Sequence, residues 1–254
     1  MNHPLQPDPA LGVFSTMLVV DGQPVELDPH LAQLRESVRT VFGAELPTWA
    51  AESVAEGAEG LELGRVRLSF AVAADGEPRL EVLARPIERA VVLPDDALDL
   101  RSATVAGWSG AHKWVDRRLL DQLDAASAPA SALLVERDGR VLETTRANVF
   151  ALGEDGVLRT PPLDGAILPG VTRVQVLAIA AEAGVTVREE PLRLDALRSA
   201  REVFGTGSIR GIEAIGSLDG VPIGGRGDVT NVVGDALRRR WLEHASRHVR
   251  AGRA

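Results

Sequence analysis

From Gly12 to Leu27 the chain has two apolar runs, Gly12–Val20 and Pro24–Leu27, on either side of Asp21-Gly22, a pattern that predicts a β-hairpin. Leu31, Leu34, Val38 and Val41 then recur at intervals of three and four, which predicts a helix with Asp28 as N-cap, ending near Gly43. A second helix is predicted over 48–58, after Pro47, and alternating apolar residues over 65–73 and 79–84 around Asp75-Gly76 predict a second hairpin. Pro86, within 85–89, marks a linker, so the reading divides the chain into a small α+β domain at 11–86 and a larger domain at 90–254.

Beyond the linker, helices are predicted over 113–126, 171–183, 194–200 and 229–245. Strands are predicted over 132–136 and 141–143 around Asp138-Gly139, over 148–152 and 157–160 around Asp155-Gly156, and over 186–190 and 202–205. The mixture makes the fold class α+β or α/β, with no internal repeat.

With 45% hydrophobic and 25% charged residues, the 254-residue chain has ordinary globular composition. A net charge of -8 without a basic run argues against a nucleic-acid partner, and the arginines at 117–118 and 238–240 read as solvated helix faces. No cysteine is present, so disulfides, thiol nucleophiles and Cys-ligated metals are excluded, and no metal is expected. Residues 1–10 lack the basic start and apolar stretch of a signal peptide, and no run of about 18 apolar residues occurs. The expectation is a cytoplasmic protein that does not cross a membrane.

Lys113 changes the picture. It is the only lysine among 28 basic residues, so positions needing only a positive charge are arginine. A guanidinium stays protonated and forms no stable bond to a carbonyl carbon, whereas a desolvated lysine amine can lose its proton and attack one. Lys113 is therefore the candidate nucleophile and base.

Four segments around it resemble the fold-type IV pyridoxal-phosphate enzymes, the class IV aminotransferases, in order and spacing. These are His112-Lys113 with Arg117, Glu143 to Phe150, Thr160 to Arg173, and Glu202 to Gly211. Glu143-Thr-Thr-Arg-Ala-Asn148-Val-Phe150 resembles the family's Glu-x-x-x-x-Asn-hydrophobic-Phe signature, and Leu168-Pro-Gly-Val-Thr-Arg173 its Leu-Pro-Gly-Ile/Val-Thr-Arg motif. The resemblance implies a two-domain fold like that of D-amino-acid aminotransferase, a homodimer, and pyridoxal 5′-phosphate as cofactor. It implies that Lys113 holds the cofactor and moves the substrate's α-proton, that Glu143 pairs with the pyridine nitrogen, and that Leu168 packs on the ring. Val171 and Thr172, at a helix start with free N–H groups, would bind the phosphate together with Thr206. His30-Leu-Ala-Gln33-Leu34 resembles the family's His-x-x-Arg-Leu, with Gln33 where the family's Arg grips the phosphate.

Lys113-x-x-x-Arg117 is closer to the Lys-His-Leu-Asn-Arg run of aminodeoxychorismate lyase than to the branched-chain aminotransferases, and the absence of tyrosine leans the same way. The implied substrate is a small amino compound, with Ser208 and Arg210 as candidate contacts and Arg67 and Arg85 as other cations able to meet a carboxylate. The alternatives are an amino-acid aminotransferase of branched-chain or D-amino-acid type, and a non-catalytic member that binds the cofactor poorly.

Overall fold

The computed structural model describes residues 7–108 and 110–243. Among the described residues, one compact unit holds Pro7–Val92, His112–Asp116 and Arg238–Glu243; the other holds those of Leu93–Ala111 and Arg117–Leu237. The division is thus not one cut at the linker, because the segment around Lys113 returns to the first unit. Backbone hydrogen bonds bring it back: Phe14 N donates to Lys113 O (2.8 Å) and Val115 N to Gly12 O (2.9 Å), flanking an isolated antiparallel bridge between Val13 and Trp114. A return held by main-chain groups leaves no trace in hydrophobic spacing.

The first unit comprises β1 (Val13–Val20), β2 (Gln23–Pro24), α1 (Leu27–Phe42), α2 (Ala50–Ala58), β3 (Leu63–Val72) and β4 (Pro78–Pro86), with an antiparallel sheet in the order β2-β1-β3-β4. Asp21 and Gly22 both take positive φ, as a tight hairpin turn requires. Met17 and Val19 from β1, Leu34 and Val38 from α1, and Val66 and Phe70 from β3 share one buried cluster. Asp28 is not the helix cap. It lies in the first turn of α1, and the cap position is Glu26, in the left-handed region with no side-chain capping bond.

The second unit runs β5 (Leu98–Thr104), α3 (Arg118–Ser127), β6 (Ser131–Val135), β7 (Arg140–Thr144), β8 (Asn148–Leu152), β9 (Leu158–Thr160), α4 (Val171–Glu182), β10 (Val187–Glu189) and β11 (Leu192–Arg193). It continues with α5 (Leu194–Arg198), β12 (Glu202–Gly207), β13 (Gly211–Leu218), β14 (Val221–Pro222) and α6 (Asp228–Arg238). Its strands lie in the order β10-β9-β8-β12-β13-β5-β6-β7-β11, and a pairing of β7 with β8 closes the six from β8 to β7 into a barrel. The seam consists of one residue pair, Glu143 opposite Asn148.

Other expectations differ too, and strand β5 has no counterpart in the sequence reading. The helix predicted from Lys113 begins only at Arg118, because the preceding backbone is engaged with β1. Strand β13 has no counterpart in the sequence reading, since glycines and the buried Glu213 break its apolar pattern. The final helix runs Asp228–Arg238 with a π-helical turn at Arg239–Glu243, and residues 244–245 of the predicted helix lie outside the described residues.

Candidate functional site

In the second unit, the polar groups singled out by sequence gather at the barrel seam. Glu143 is 7% exposed and Asn148 4%. Asn148 Nδ2 donates to Glu143 Oε2 (3.1 Å) and to Leu168 O (2.9 Å), and Leu168 N donates to the same carboxylate oxygen (3.2 Å). Buried carboxylates are retained where such donors replace water. Two glycines allow this approach. A Cβ on Gly110 would lie 2.9 Å from Glu143 Oε1 and 2.6 Å from Ala166 O, and one on Gly170 would lie 2.2 Å from Asn148 Oδ1. No sequence pattern marks Gly110; Gly170 is visible only as part of the motif.

Helix α4 starts at Val171 with Gly170 as its cap residue and no side-chain capping bond. Its first N–H groups therefore have no partner within the helix and carry the positive end of its dipole. Val171 and Thr172 are both buried. Arg173 is fully buried, donating from Nη2 to Pro161 O (2.9 Å) and to Glu189 Oε2 (2.7 Å), which fixes the segment leading into the helix. On the neighbouring strand, Thr206 stands opposite Asn148 in register. Its hydroxyl is buried and has no hydrogen-bond partner among the described residues. An unsatisfied buried hydroxyl costs about 1–3 kcal/mol, so an acceptor supplied by a ligand would be favoured there.

Ser208 and Arg210 lie in the turn between β12 and β13. Arg210 Nε donates to Glu213 Oε1 (2.5 Å), so its guanidinium already has a carboxylate partner within its own hairpin. Arg85 is exposed on β4.

Lys113 belongs to the first unit, where its Nζ lies 5.2 Å from the centre of the Phe14 ring. Arg67 lies over the same ring, its Cζ 3.7 Å from the centre, and its Nε donates to Ser69 Oγ (3.3 Å). His30, on α1, shares a 2.8 Å hydrogen bond with Ser15 Oγ. Burial, reinforced by the positive charge of Lys113, lowers the His30 pKa from its ordinary value to about 3, so the imidazole is neutral at physiological pH. His112, one residue before the lysine, hydrogen-bonds Ser37 Oγ (3.1 Å). Burial lowers its pKa too, opposed by Glu36. Gln33 is partly buried on α1, three residues after His30 and four before Ser37, on the polar stripe that those two define.

No helix among the described residues is long and apolar enough to cross a membrane. Nor do the described residues contain a group of three or more His, Asp or Glu that could hold a metal; His244 and His248, four apart in sequence, lie outside them.

The sequence pattern of the class IV amino-transferase family matches residues 12–218, and the chain belongs to that family. Members of the family use pyridoxal 5′-phosphate. Among relatives, the chain is 27% identical to D-alanine aminotransferase of Bacillus licheniformis over 94% of its own length and 90% of that protein's. It is 37% identical to a putative branched-chain-amino-acid aminotransferase of Methanocaldococcus jannaschii, over 43% of this chain and only 40% of that protein's length. Among solved structures, a hypothetical aminotransferase of Mycobacterium tuberculosis in a PLP-bound form shares the fold with a TM-score of 0.82 at 21% identity, covering 96% of this chain and 95% of that one. The 4-amino-4-deoxychorismate lyase of Pseudomonas aeruginosa gives 0.79 at 24%, covering 94% and 95%.

The second unit's residues fit this cofactor in kind. An uncapped helix start beside a buried hydroxyl without an acceptor suits a phosphate, and a buried carboxylate held by neutral donors suits a protonated pyridine nitrogen.

Proposed function

We propose that this chain is a pyridoxal-phosphate-dependent enzyme acting on a small amino substrate, and specifically an aminodeoxychorismate lyase that releases 4-aminobenzoate and pyruvate. The observation that carries the cofactor assignment is the unpartnered Thr206 hydroxyl beside the seam pair Glu143 and Asn148. The Lys113-x-x-x-Arg117 spacing and the absence of tyrosine support the lyase over its relatives.

When bound, the cofactor supplies a carbonyl carbon that accepts an amine and a ring that draws electrons from the substrate's amine-bearing carbon. Lys113 Nζ would hold the cofactor covalently and, with its amine free, would take the proton from that carbon. Glu143 would keep the pyridine nitrogen protonated, its carboxylate being held in place at Oε2 by Asn148 Nδ2 and the Leu168 N–H. The N–H groups of Val171 and Thr172 and the Thr206 hydroxyl would bind the phosphate, and Leu168 would pack on the ring. Gln33 would offer a neutral amide where the family's Arg grips the phosphate, a weaker hold than a guanidinium's. Ser208 and Arg210 remain candidate substrate contacts; Arg210 bonds Glu213 through Nε and has further N–H donors on Nη1 and Nη2. A homodimer in the cytoplasm goes with this reading, and sedimentation of the purified protein checks the assembly.

A second reading, a D-amino-acid-type aminotransferase, is favoured by the near full-length likeness to D-alanine aminotransferase. Two assays separate them. Pyruvate release from aminodeoxychorismate without an added keto acid supports the lyase. Amino transfer that depends on a keto acid, with no pyruvate from aminodeoxychorismate, overturns the lyase and leaves the aminotransferase.

A further inference from the structure

The seam pair Glu143–Asn148 is the only register pair joining β7 to β8, so the ladder itself does little to fix the turn between them. The turn is fixed by side chains. Thr144 Oγ1 accepts from Arg146 N (3.2 Å) and Ala147 N (2.8 Å), and Thr144 N donates to Ala147 O (2.9 Å). From outside the turn, Arg117 Nη2 donates to Thr145 O (2.8 Å), and Asp124 Oδ1 accepts from Thr145 Oγ1 (2.7 Å) and Ala132 N (3.1 Å). Arg117 immediately precedes α3 and Asp124 lies within it, so one short helix grips the turn at both the carbonyl and the hydroxyl of Thr145.

Arg117 is not the solvated cation its sequence neighbourhood predicts. Its side chain is 21% exposed, and it has a weaker, 3.7 Å approach to Asp121. Burial lowers its pKa, and Glu143 is among the charges acting on it. Arg118, next in sequence, is exposed. A largely desolvated guanidinium aimed at a backbone carbonyl is an expensive way to hold a turn unless the turn's geometry matters.

We propose that Arg117 is a positioning residue: through the Thr145 carbonyl it sets the turn whose two ends are Glu143 and Asn148, and so aims the carboxylate at the cofactor's ring nitrogen. The inference rests on the cofactor reading above. A displaced carboxylate would leave the ring nitrogen less firmly protonated, and a small misplacement at a reacting centre costs on the order of 100-fold in rate. Arg117 does not touch the substrate in this account, so its removal lowers kcat and leaves KM nearly unchanged.

The experiment compares wild type, Arg117→Met, Arg117→Lys and Arg146→Ala, each loaded with pyridoxal phosphate. It reads the absorbance of the bound cofactor against pH, borohydride fixation on Lys113, kcat and KM, and the melting temperature without cofactor. Arg146 is the control, because it sits in the same turn with a side chain that is 71% exposed and approaches Asp124 only at Oδ2 (3.4 Å), not at the Oδ1 that holds Thr145. Arg117→Met is expected to shift the pH midpoint of the bound-cofactor band and to lower kcat roughly 10- to 100-fold at near-constant KM, while Lys113 is still fixed. Arg117→Lys restores part of both, and Arg146→Ala behaves as wild type. If Arg117→Met keeps the wild-type band and kcat, or changes only the melting temperature, the proposal is overturned. If Arg117→Met does not fold, the same readouts on Arg117→Lys decide, since one ammonium cannot reproduce the guanidinium's geometry and a wild-type profile there refutes the role. Absence of fixation in wild type itself would instead refute the cofactor reading.

Discussion

Thr206 shows how a single atom can point to a ligand. Its strand neighbours satisfy the backbone, yet the hydroxyl is buried with no partner among the described residues. Thr206→Val keeps the shape and removes the group. A hydrogen bond to a charged acceptor contributes about 1.5–3 kcal/mol, so cofactor affinity should fall roughly 10- to 100-fold, while the cofactor-free protein should be as stable as wild type or more so. Fluorescence titration with pyridoxal phosphate and thermal melting check the two halves; unchanged affinity would remove Thr206 from the phosphate site. The same scale explains what sequence could deliver. Glu143 and Asn148, and Leu168 through Arg173, lie within short stretches whose chemistry is local, so the motif carries the contacts. Gly110, Asp124 and Thr145 matter only through partners distant in the chain, and nothing in their flanking residues signals it.

Among elements, α6 is the clearest case of long-range definition. Glu202, at the start of β12, accepts from Val229 N (3.1 Å), Thr230 N (2.7 Å) and Thr230 Oγ1 (2.7 Å), capping a helix that begins 26 residues later in the sequence. Glu202→Ala strands these donors in a buried place and should cost about 1–3 kcal/mol, measured by denaturant unfolding; a change below about 0.5 kcal/mol would show that water replaces the carboxylate. Periodicity located α1, α2 and α4 to within a few residues because each buries an apolar stripe. It overran at the start of α3, where Val115 continues the apolar spacing while its N–H is given to Gly12. It missed β5, and it missed β13, whose glycines and Glu213 hide a strand that is buried through its first five residues.

At the scale of the whole chain, folding stability should depend on His30. Its pKa is about 3 in the folded state against an ordinary 6.5, so between these values the unfolded chain binds the extra proton. Stability is therefore full above pH 6.5 and falls as the pH is lowered toward 3, with a slope of up to about 1.4 kcal/mol per unit from this group. His30→Gln should flatten that limb in urea-unfolding series at pH 4 to 8; an unchanged slope would mean that His30 is not held neutral. The overall class was legible because Lys113 and three motifs fall in family order. The return of residues 112–116 to the first unit was not, because it is made by main-chain groups. The central claim is that Lys113 carries pyridoxal phosphate. It is tested by reducing the cofactor-loaded protein with borohydride and mapping the labelled peptide. The account predicts one pyridoxyl group on Lys113 and none in Lys113→Ala; a reduced protein without label on Lys113, after saturation with the cofactor, would contradict it.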